Sequence, residues 1–456
     1  MTGPFARLRD EWFLRGWTDL PRALVRWGST DVRPLTTETF YVVQSCDGET
    51  DFGSMAFLPL HRAVLRRLVD DGVAEWCSEG HQITPPQHYR LAPNPQLSAI
   101  DWSVTGRCNL KCRHCFMESP SGKYGALSTD GMVRLIDQFE RANVLEVTLT
   151  GGEPFLRPDL LDLVALLAER RIWLSQIYSN GLLIRQSHLD AIRAAGFLPA
   201  FQVSFDGVGT HDAMRGVHGV EGPTVDAMRL LTREGFPVVA ATSIDVSSAP
   251  RLLATYALMR ELGVAGWRVS LPQPIGNWRS SATGLSLREA AEACRPVMAR
   301  WVADGRPFDL QLAGFFRGTT RPASEDAADA ARLTFALDDY DCRAVRARAN
   351  LLPDATLVPC PGYVDVGVEA QMPNLLSGPG LSQAWTDSAI RRYADLTVRD
   401  VVARNPECAT CEHLADCGTG CRAAALAETG DRFSRDPVTC KLTRAGYRTQ
   451  FMDEDS

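Results

Sequence analysis

The stretch Ile100-Asp-Trp-Ser-Val104, followed within four residues by Cys108-Asn-Leu-Lys-Cys112-Arg-His-Cys115, sets the reading of the whole chain. A short apolar run that opens into a loop with three thiols in eight residues reads as a strand presenting chemistry at its C-terminal end. Five similar runs follow, at 145–149, 172–178, 200–205, 238–244 and 267–271. Amphipathic helical runs separate them, beginning near Thr129, Asp159, Ile184, Thr224, Ala249 and Leu287, with Ser128 and Ser247 as N-caps. This alternation predicts a parallel sheet with helical crossovers, and six repeats predict an open, partial (β/α)6 barrel of the α/β class. Active loops of such a fold lie at the C-terminal ends of its strands.

Composition sets the outer limits. At about 150 residues per domain, 456 residues predict two or three domains. The longest apolar stretch, 160–174, is interrupted by Asp162, Glu169, Arg170 and Arg171, so no membrane span is expected. Arg7, Arg9, Asp10 and Glu11 precede any apolar block, which argues against a signal peptide and for a cytoplasmic protein. The 48 basic and 55 acidic residues give a net charge of -7, the wrong sign for a generic nucleic-acid binder. Without an export signal, 13 cysteines predict reduced thiols or metal ligands and not disulfides. Seven of them (Cys342, Cys360, Cys408, Cys411, Cys417, Cys421 and Cys440) form a C-terminal set, and Cys46, Cys77 and Cys294 stand apart.

The flanking regions read as follows. Residues 1–28, with Phe5, Trp12, Phe13, Trp17 and Trp27, predict an amphipathic helix. Leu60, Val64 and Leu68 recur one helical turn apart across 60–71, with Gly72 as a stop. A hairpin of 73–77 with 81–84 around Ser78-Glu79-Gly80 would complete a small winged-helix-like α+β region, and Pro85, Pro86, Pro93 and Pro95 mark a linker. The run 324–341 holds six acids against Arg332 and reads as a solvated linker. The expected division is 1–97 as the N-terminal region, 98–310 as the barrel, 311–341 as the linker and 342–456 as a cysteine-rich domain.

Four strand ends carry motifs in order: the cysteine group, Thr150-Gly151-Gly152-Glu153-Pro154, Ser179-Asn180-Gly181, and Val203-Ser204-Phe205-Asp206-Gly207 leading to His211-Asp212-Ala213-Met214-Arg215-Gly216. Singly, each reads equally well as a structural turn. Three thiolates do not close a tetrahedral zinc site, whereas a four-iron cluster on three cysteines keeps one iron open. In this combination the chain resembles the radical S-adenosylmethionine (SAM) superfamily, with His114 as the aromatic or histidine residue before the third cysteine. The resemblance implies that Cys108, Cys112 and Cys115 bind a [4Fe-4S] cluster and that Gly151, Gly152, Ser179 and Asn180 border SAM. It further implies that Glu153 receives the methionyl amino group, that Ser204 and Arg215 hold the carboxylate, and that Asp206 lies near the ribose. A 5'-deoxyadenosyl radical then takes hydrogen from substrate, with the protein orienting the partners and excluding water.

The C-terminal set resembles the SPASM domain, in which seven cysteines serve two auxiliary [4Fe-4S] clusters; a zinc ribbon would leave three of them unused. By resemblance Cys408, Cys411, Cys417 and Cys440 share one cluster and Cys342, Cys360 and Cys421 the other, with an iron left open or held by a group such as Asp341 or Cys294. One departure is Ala355, where the family has Gly in the turn before its second cysteine; a positive φ there disfavours Ala by about 1 kcal/mol. The layout implies a maturase acting on a ribosomally made precursor peptide, forming a cross-link with thioether ranked first, and served by a flavodoxin- or ferredoxin-type electron donor. Alternatives are a Ser/Cys oxidase like the sulfatase maturases, a peptide epimerase using a spare thiol, and a cluster-stabilised peptide-binding protein without catalysis.

Overall fold

The computed structural model describes residues 4–54, 56–279, 281–320, 334–342, 344–387, 389–447 and 450–451. The strands of the N-terminal region are β1 (Phe5–Leu8), β2 (Trp12–Gly16), β3 (Ala23–Arg26), β4 (Val32–Pro34), β5 (Ala74–Cys77) and β6 (Arg90–Leu91). The main sheet holds β7 (Ala99–Ser103), β8 (Glu146–Thr150), β9 (Trp173–Ser179), β10 (Ala200–Ser204), β11 (Val238–Ser243), β12 (Gly266–Ser270), β13 (Asp309–Leu312), β14 (Phe316–Gly318), β15 (Arg348–Leu351) and β16 (Leu357–Val358).

All six strands expected between 100 and 271 are present with bounds shifted by one residue or so, side by side in chain order within a mixed ten-stranded sheet. Its order is β14-β13-β12-β11-β10-β9-β8-β7-β15-β16, parallel from β13 through β15 and edged by antiparallel hairpins at both ends. Alternation explains the layering. Ile100, Trp102, Val147, Leu149, Ile177, Phe201, Val203 and Trp267 face the helices and are buried in one core with the apolar sides of Thr129–Arg141, Leu160–Glu169 and Leu287–Ala303. Ser128 caps its helix as expected, accepting from the Gly131 amide. Ser247 does not: the Asp245 carboxylate accepts from the Ser247 and Ser248 amides, and the helix starts at Leu252 after a single 3-10 turn.

Four added strands, β13 to β16, lie at or beyond the point where the sequence reads as linker or as a separate domain. β13 falls at the 310/311 boundary and β15 comes from the cysteine-rich segment to pair in parallel with β7, Arg348 opposite Ala99 and Leu351 opposite Trp102. Arg348-Ala-Asn-Leu is too short and too polar to announce itself as an inner strand. Of the acidic run, Glu325, Asp326, Asp329 and Arg332 lie outside the described residues.

The aromatic N-terminus is not a helix. Residues 12–16 are all buried because β2 lies between two layers: Trp12 and Leu14 enter one core with Val42, Val43 and Leu65, while Phe13 joins Trp17, Ala23, Val25 and Ala92 in another. Period two, not 3.6, sorts those aromatics. The helix Pro59–Asp70 matches its expectation. The hairpin does not, because β5 pairs with β1, Phe5 opposite Cys77, and the 80–83 segment hydrogen-bonds the backbone of Asp47 and Gly48 instead. The proline-rich linker is also ordered: Gln87 is fully buried, donating to the Arg9 and Trp12 carbonyls, and β6 pairs with β2. Ala355 does adopt φ 71° inside the β15–β16 hairpin, so the turn keeps its shape without glycine.

Among the described residues no helix is long and apolar enough to cross a membrane. The N-terminal sheet is pinned to the main body by Asn143, buried at φ 55°, whose amide nitrogen donates to the Gly16 and Arg90 carbonyls (2.9 Å each) while its oxygen accepts from Arg90 Nε at 2.6 Å. Asn143→Ala should cost about 1–2 kcal/mol by removing two donors to backbone carbonyls and the acceptor of Arg90 Nε, although Gly16 O keeps the Ala92 amide. Amide hydrogen exchange checks this: β2 and β6 should exchange faster while β9 and β10 keep their protection.

Candidate active site

The loop after β7 lies across the C-terminal rim of the sheet, held by backbone. The Gly152 and Glu153 amides donate to the Thr105 and Arg107 carbonyls (2.7 and 2.9 Å), the Lys111 and Arg113 amides donate to the Arg215 and Met214 carbonyls (3.0 and 2.9 Å), and the Asn277 amide donates to Cys115 O at 3.0 Å. Each contact needs a glycine. A Cβ on Gly152 would stand 2.1 Å from Arg107 O, one on Gly216 2.4 Å from Lys111 O, and one on Gly276 2.3 Å from Cys115 O. The expected role of Gly151 and Gly152 is thereby refined: their missing side chains admit the cysteine loop itself, Gly151 against Thr105 and Gly152 against Arg107. Gly276 carried no signal beyond being a glycine in the loop after β12.

Glu153 is fully buried beneath this loop. Its Oε1 accepts from the Phe155 amide at 3.1 Å and Ser179 Oγ at 2.9 Å, and Oε2 accepts from the Asn180 amide at 2.8 Å. Three of four acceptor positions are filled, and one on Oε2 is left. Burial pushes its pKa up to about 7 despite those donors. The Asn180 side chain donates to Asn109 Oδ1 at 2.8 Å, tying β9's end to the cysteine loop.

At β10's end Ser204 is half-buried and Asp206 and Arg215 are buried. Arg215 Nε lies 2.7 Å from Asp206 Oδ2, and its Nη1 reaches Cys112 Sγ at 3.4 Å. Asp206 Oδ1 accepts from the Ser243 amide, while His211 Nδ1 accepts from the Asp206 amide at 3.0 Å. Burial lowers the pKa of His211 to about 4, so the ring is neutral and its Nε2 faces Thr224 Oγ1 at 3.3 Å. His114 is likewise held neutral by burial. Asp206 Oδ2 and Arg215 Nε thus satisfy each other as a buried ion pair, and among the described residues His114 Nδ1 is buried without a hydrogen-bond partner. A buried ion pair beside an unpartnered ring nitrogen suits a polar ligand.

Asp365 closes the rim from the C-terminal side, a role invisible in the sequence. Held at φ 61°, it accepts from Lys123 Nζ (2.8 Å), the Gly276 amide (3.0 Å) and Arg279 Nη2 (2.5 Å). Burial raises its pKa, but these donors outweigh burial and leave it below the usual carboxylate range.

The thiols fall near one another as their spacing groups them. Burial pushes Cys108 up to about 11, with Cys112 and Cys115 adding to the rise, and pushes Cys360 up to about 12, with Cys421 and Cys342 adding. Cys408 is raised by burial and Glu407, with Cys417 and Cys440 contributing. The expectation of three [4Fe-4S] clusters is nevertheless corrected: among the described residues no three His, Cys, Asp or Glu side chains are arranged to hold a metal ion. The two extra ligands considered for the second set are also spoken for. Asp341 pairs with buried Arg422 (3.0 Å) and accepts from Thr419 Oγ1 (2.7 Å), and Cys294 is wholly buried in the core.

The parallel strands thus gather Glu153, Asp206, Arg215 and the cysteine loop at one end of the sheet, where active loops of such folds lie. Residues 102–246 match the model described as the radical SAM superfamily. The match spans 145 of the chain's 456 residues, and over most of its length the chain resembles enzymes that use S-adenosylmethionine or modify peptides. It is 28% identical over 364 residues to the PqqA peptide cyclase of Gluconobacter oxydans, covering 77% of this chain and 92% of that one. It is 26% identical over 356 residues to the AdoMet-dependent heme synthase of Nitratidesulfovibrio vulgaris, covering 76% and 92%. Among solved structures, Streptococcus suis SuiB bound to its precursor peptide SuiA superposes with TM-score 0.67 at 13% identity, over 96% of this chain and 100% of that one.

Gly152→Ala should lift the cysteine loop off the rim, because carbon cannot share space with Arg107 O. Thiol-alkylation rates at Cys108, Cys112 and Cys115, followed by mass spectrometry, should rise about ten-fold or more. Gly196→Ala, at an open position with nothing within 4 Å, should leave them unchanged.

Proposed function

We propose that this enzyme binds SAM in the rim basin and uses it to modify a side chain of a ribosomally made peptide, with cross-linking as the reaction. The observation that carries the reading is the gathering, at one rim, of buried Glu153 with an acceptor position left, the buried Arg215–Asp206 pair, unpartnered His114 Nδ1 and half-buried Ser204. Arg215 and Ser204 would take the SAM carboxylate, the remaining acceptor on Glu153 its ammonium, and Asp206 the ribose hydroxyls. Bound there, SAM would supply a 5'-deoxyadenosyl radical able to take hydrogen from the substrate, once one electron from the donor protein had broken its C5'–S bond and released methionine. The chain's own residues orient it, and the cysteine loop clamped by Gly152, Gly216 and Gly276 walls off water.

The likeness to SuiB runs over nearly the whole chain, so most of residues 4–97 share in it. This supports reading the N-terminal region as the part that engages the precursor, with 98–310 and 342–456 building the reaction chamber. A flavodoxin- or ferredoxin-type protein is the proposed electron donor. The ranking of a thioether above other cross-links depended on a metal-held thiolate and loses its support. Epimerisation needs an accessible spare thiol: Cys46 and Cys294 are fully buried, burial pushes Cys294 up to about 12, and the part-exposed Cys77 lies on β5 in the N-terminal region. A second reading, modification of a carboxylated tetrapyrrole, is favoured by the likeness to the heme synthase.

Titration calorimetry tests the SAM site. The protein should bind SAM, and Arg215→Ala should weaken binding by about 2–3 kcal/mol through loss of a charge-assisted contact. The pH dependence follows from Glu153. With its pKa raised to about 7, the carboxyl is mostly protonated at pH 6, so binding an ammonium there should release about one proton, falling to none by pH 9. Calorimetry in buffers of different ionisation enthalpy reads that proton, and Glu153→Gln should abolish its release. No SAM binding by the wild-type protein would contradict the reading.

A further inference from the structure

The face of the main sheet turned away from its helices is polar, which is unusual for parallel strands, normally apolar on both faces. Strand register places its residues together. Asn350 is opposite Asp101, Asp101 opposite Thr148, Thr148 opposite Gln176, and Tyr178 opposite Gln202. Farther along, Ala241 is opposite Arg268 and Arg268 opposite Gln311. The sheet curls enough that Tyr178 on β9 lies within electrostatic reach of Arg268 on β12, Arg348 on β15, Asp101 on β7 and Glu146 on β8. Residues from five strands thus converge on one hollow.

The charges in this hollow are not evenly matched. Arg348 is shared by two carboxylates, Asp101 at 2.6 Å and Glu146. Arg268 has no carboxylate. Its Nε donates to Gln311 Oε1 at 3.0 Å, and among the described residues neither of its Nη groups nor the Tyr178 hydroxyl has a hydrogen-bond partner. More than a third of Arg268 is exposed. Burial raises the pKa of Tyr178, so its hydroxyl remains a neutral donor. A planar fork with two free amino groups on the polar face of the sheet, with a phenol three strands away on the same face, can receive a carboxylate.

Its location gives it a use. Tyr178 immediately precedes Ser179, whose hydroxyl donates to Glu153, and Arg268 sits two residues below the end of β12, about 7 Å from the rim. We propose that Arg268, with Tyr178, captures a carboxylate of the substrate in the sheet's hollow and so selects which residue is presented to the rim basin. The inference rests on the peptide-modifying reading above and adds a chemical class to it. The carboxylate is an acidic side chain or the peptide's C-terminus. The Arg348 group stays structural, because its cation is already matched and a second anion there would meet Asp101 and Glu146.

Ligand-observed NMR tests the proposal with the purified full chain and four probes: acetyl-Gly-Gly-Glu-Gly-Gly-amide, its Gln analogue, acetyl-pentaglycine as the free acid, and coproporphyrin III. The wild-type protein should prefer the Glu peptide over the Gln peptide by about ten-fold, Arg268→Gln should erase the preference, and Arg268→Lys should retain part of it. Preference for the free acid over the Gln peptide, with the same dependence on Arg268, supports capture of a C-terminus. Binding of coproporphyrin alone, again dependent on Arg268, supports the carboxylate receptor and moves the substrate to the tetrapyrrole reading. Equal binding of acid and amide probes, or a preference that survives Arg268→Gln, overturns the proposal. SAM titration of each variant keeps the two readings apart: retained SAM binding without carboxylate preference removes the receptor and leaves the SAM site standing, and loss of SAM binding in the wild type removes the SAM site.

Discussion

The backbone of residues 105–115 is packed against three other loops with no side chain between them, and the site depends on that closeness. At Gly152, Gly216 and Gly276 the approach leaves no space for even one carbon; the Glu153 and Asn277 amides donate to the carbonyls of Arg107 and Cys115 at two of these contacts, and the Lys111 amide donates to Arg215 O at the third. Glycine surrenders more conformational freedom on folding than any other residue, so three such contacts are costly to order. They are offset by amide bonds from neighbouring strand ends and by Glu153, which gathers three donors under the loop. The result is a rim in which most polar groups are satisfied, with one acceptor position on Glu153 and the His114 Nδ1 atom left over.

The C-terminal segment is part of this construction and not an appendage. β15 continues the sheet from β7, and Asp365 bridges the cysteine loop's downstream Lys123 to the loop after β12. Gln138, on the first crossover helix, exchanges hydrogen bonds with the Leu375 carbonyl and the Leu381 amide. The N-terminal sheet is fixed on the other side by Asn143.

What the sequence made legible was local. Strands β7 to β12 are apolar on the helix-facing side, and their loops carry Gly, Asp and Asn where turns require them, so period and turn chemistry agree. β2 misled because buried aromatics on both faces of a strand mimic a helical stripe when the partner layers are unknown. β15 and Asp365 were illegible for a different reason: each acts through contacts with residues more than 80 positions away, and nothing in Arg348-Ala-Asn-Leu or in a lone Asp carries that information. The cysteines were legible as neighbours but not as a metal-holding arrangement, since spacing along a loop fixes which thiols meet and not how their sulfurs are oriented.

The account centres on one basin at the strand ends, built from the 105–115 loop, Glu153, Ser204, Asp206 and Arg215. Hydrogen–deuterium exchange of the full chain with and without SAM tests that centre directly. Protection should concentrate at residues 105–115, 151–153, 179–181 and 204–216, with the N-terminal sheet and the 405–447 segment unchanged. Protection appearing in the 405–447 segment while the strand ends stay unaffected would contradict the account.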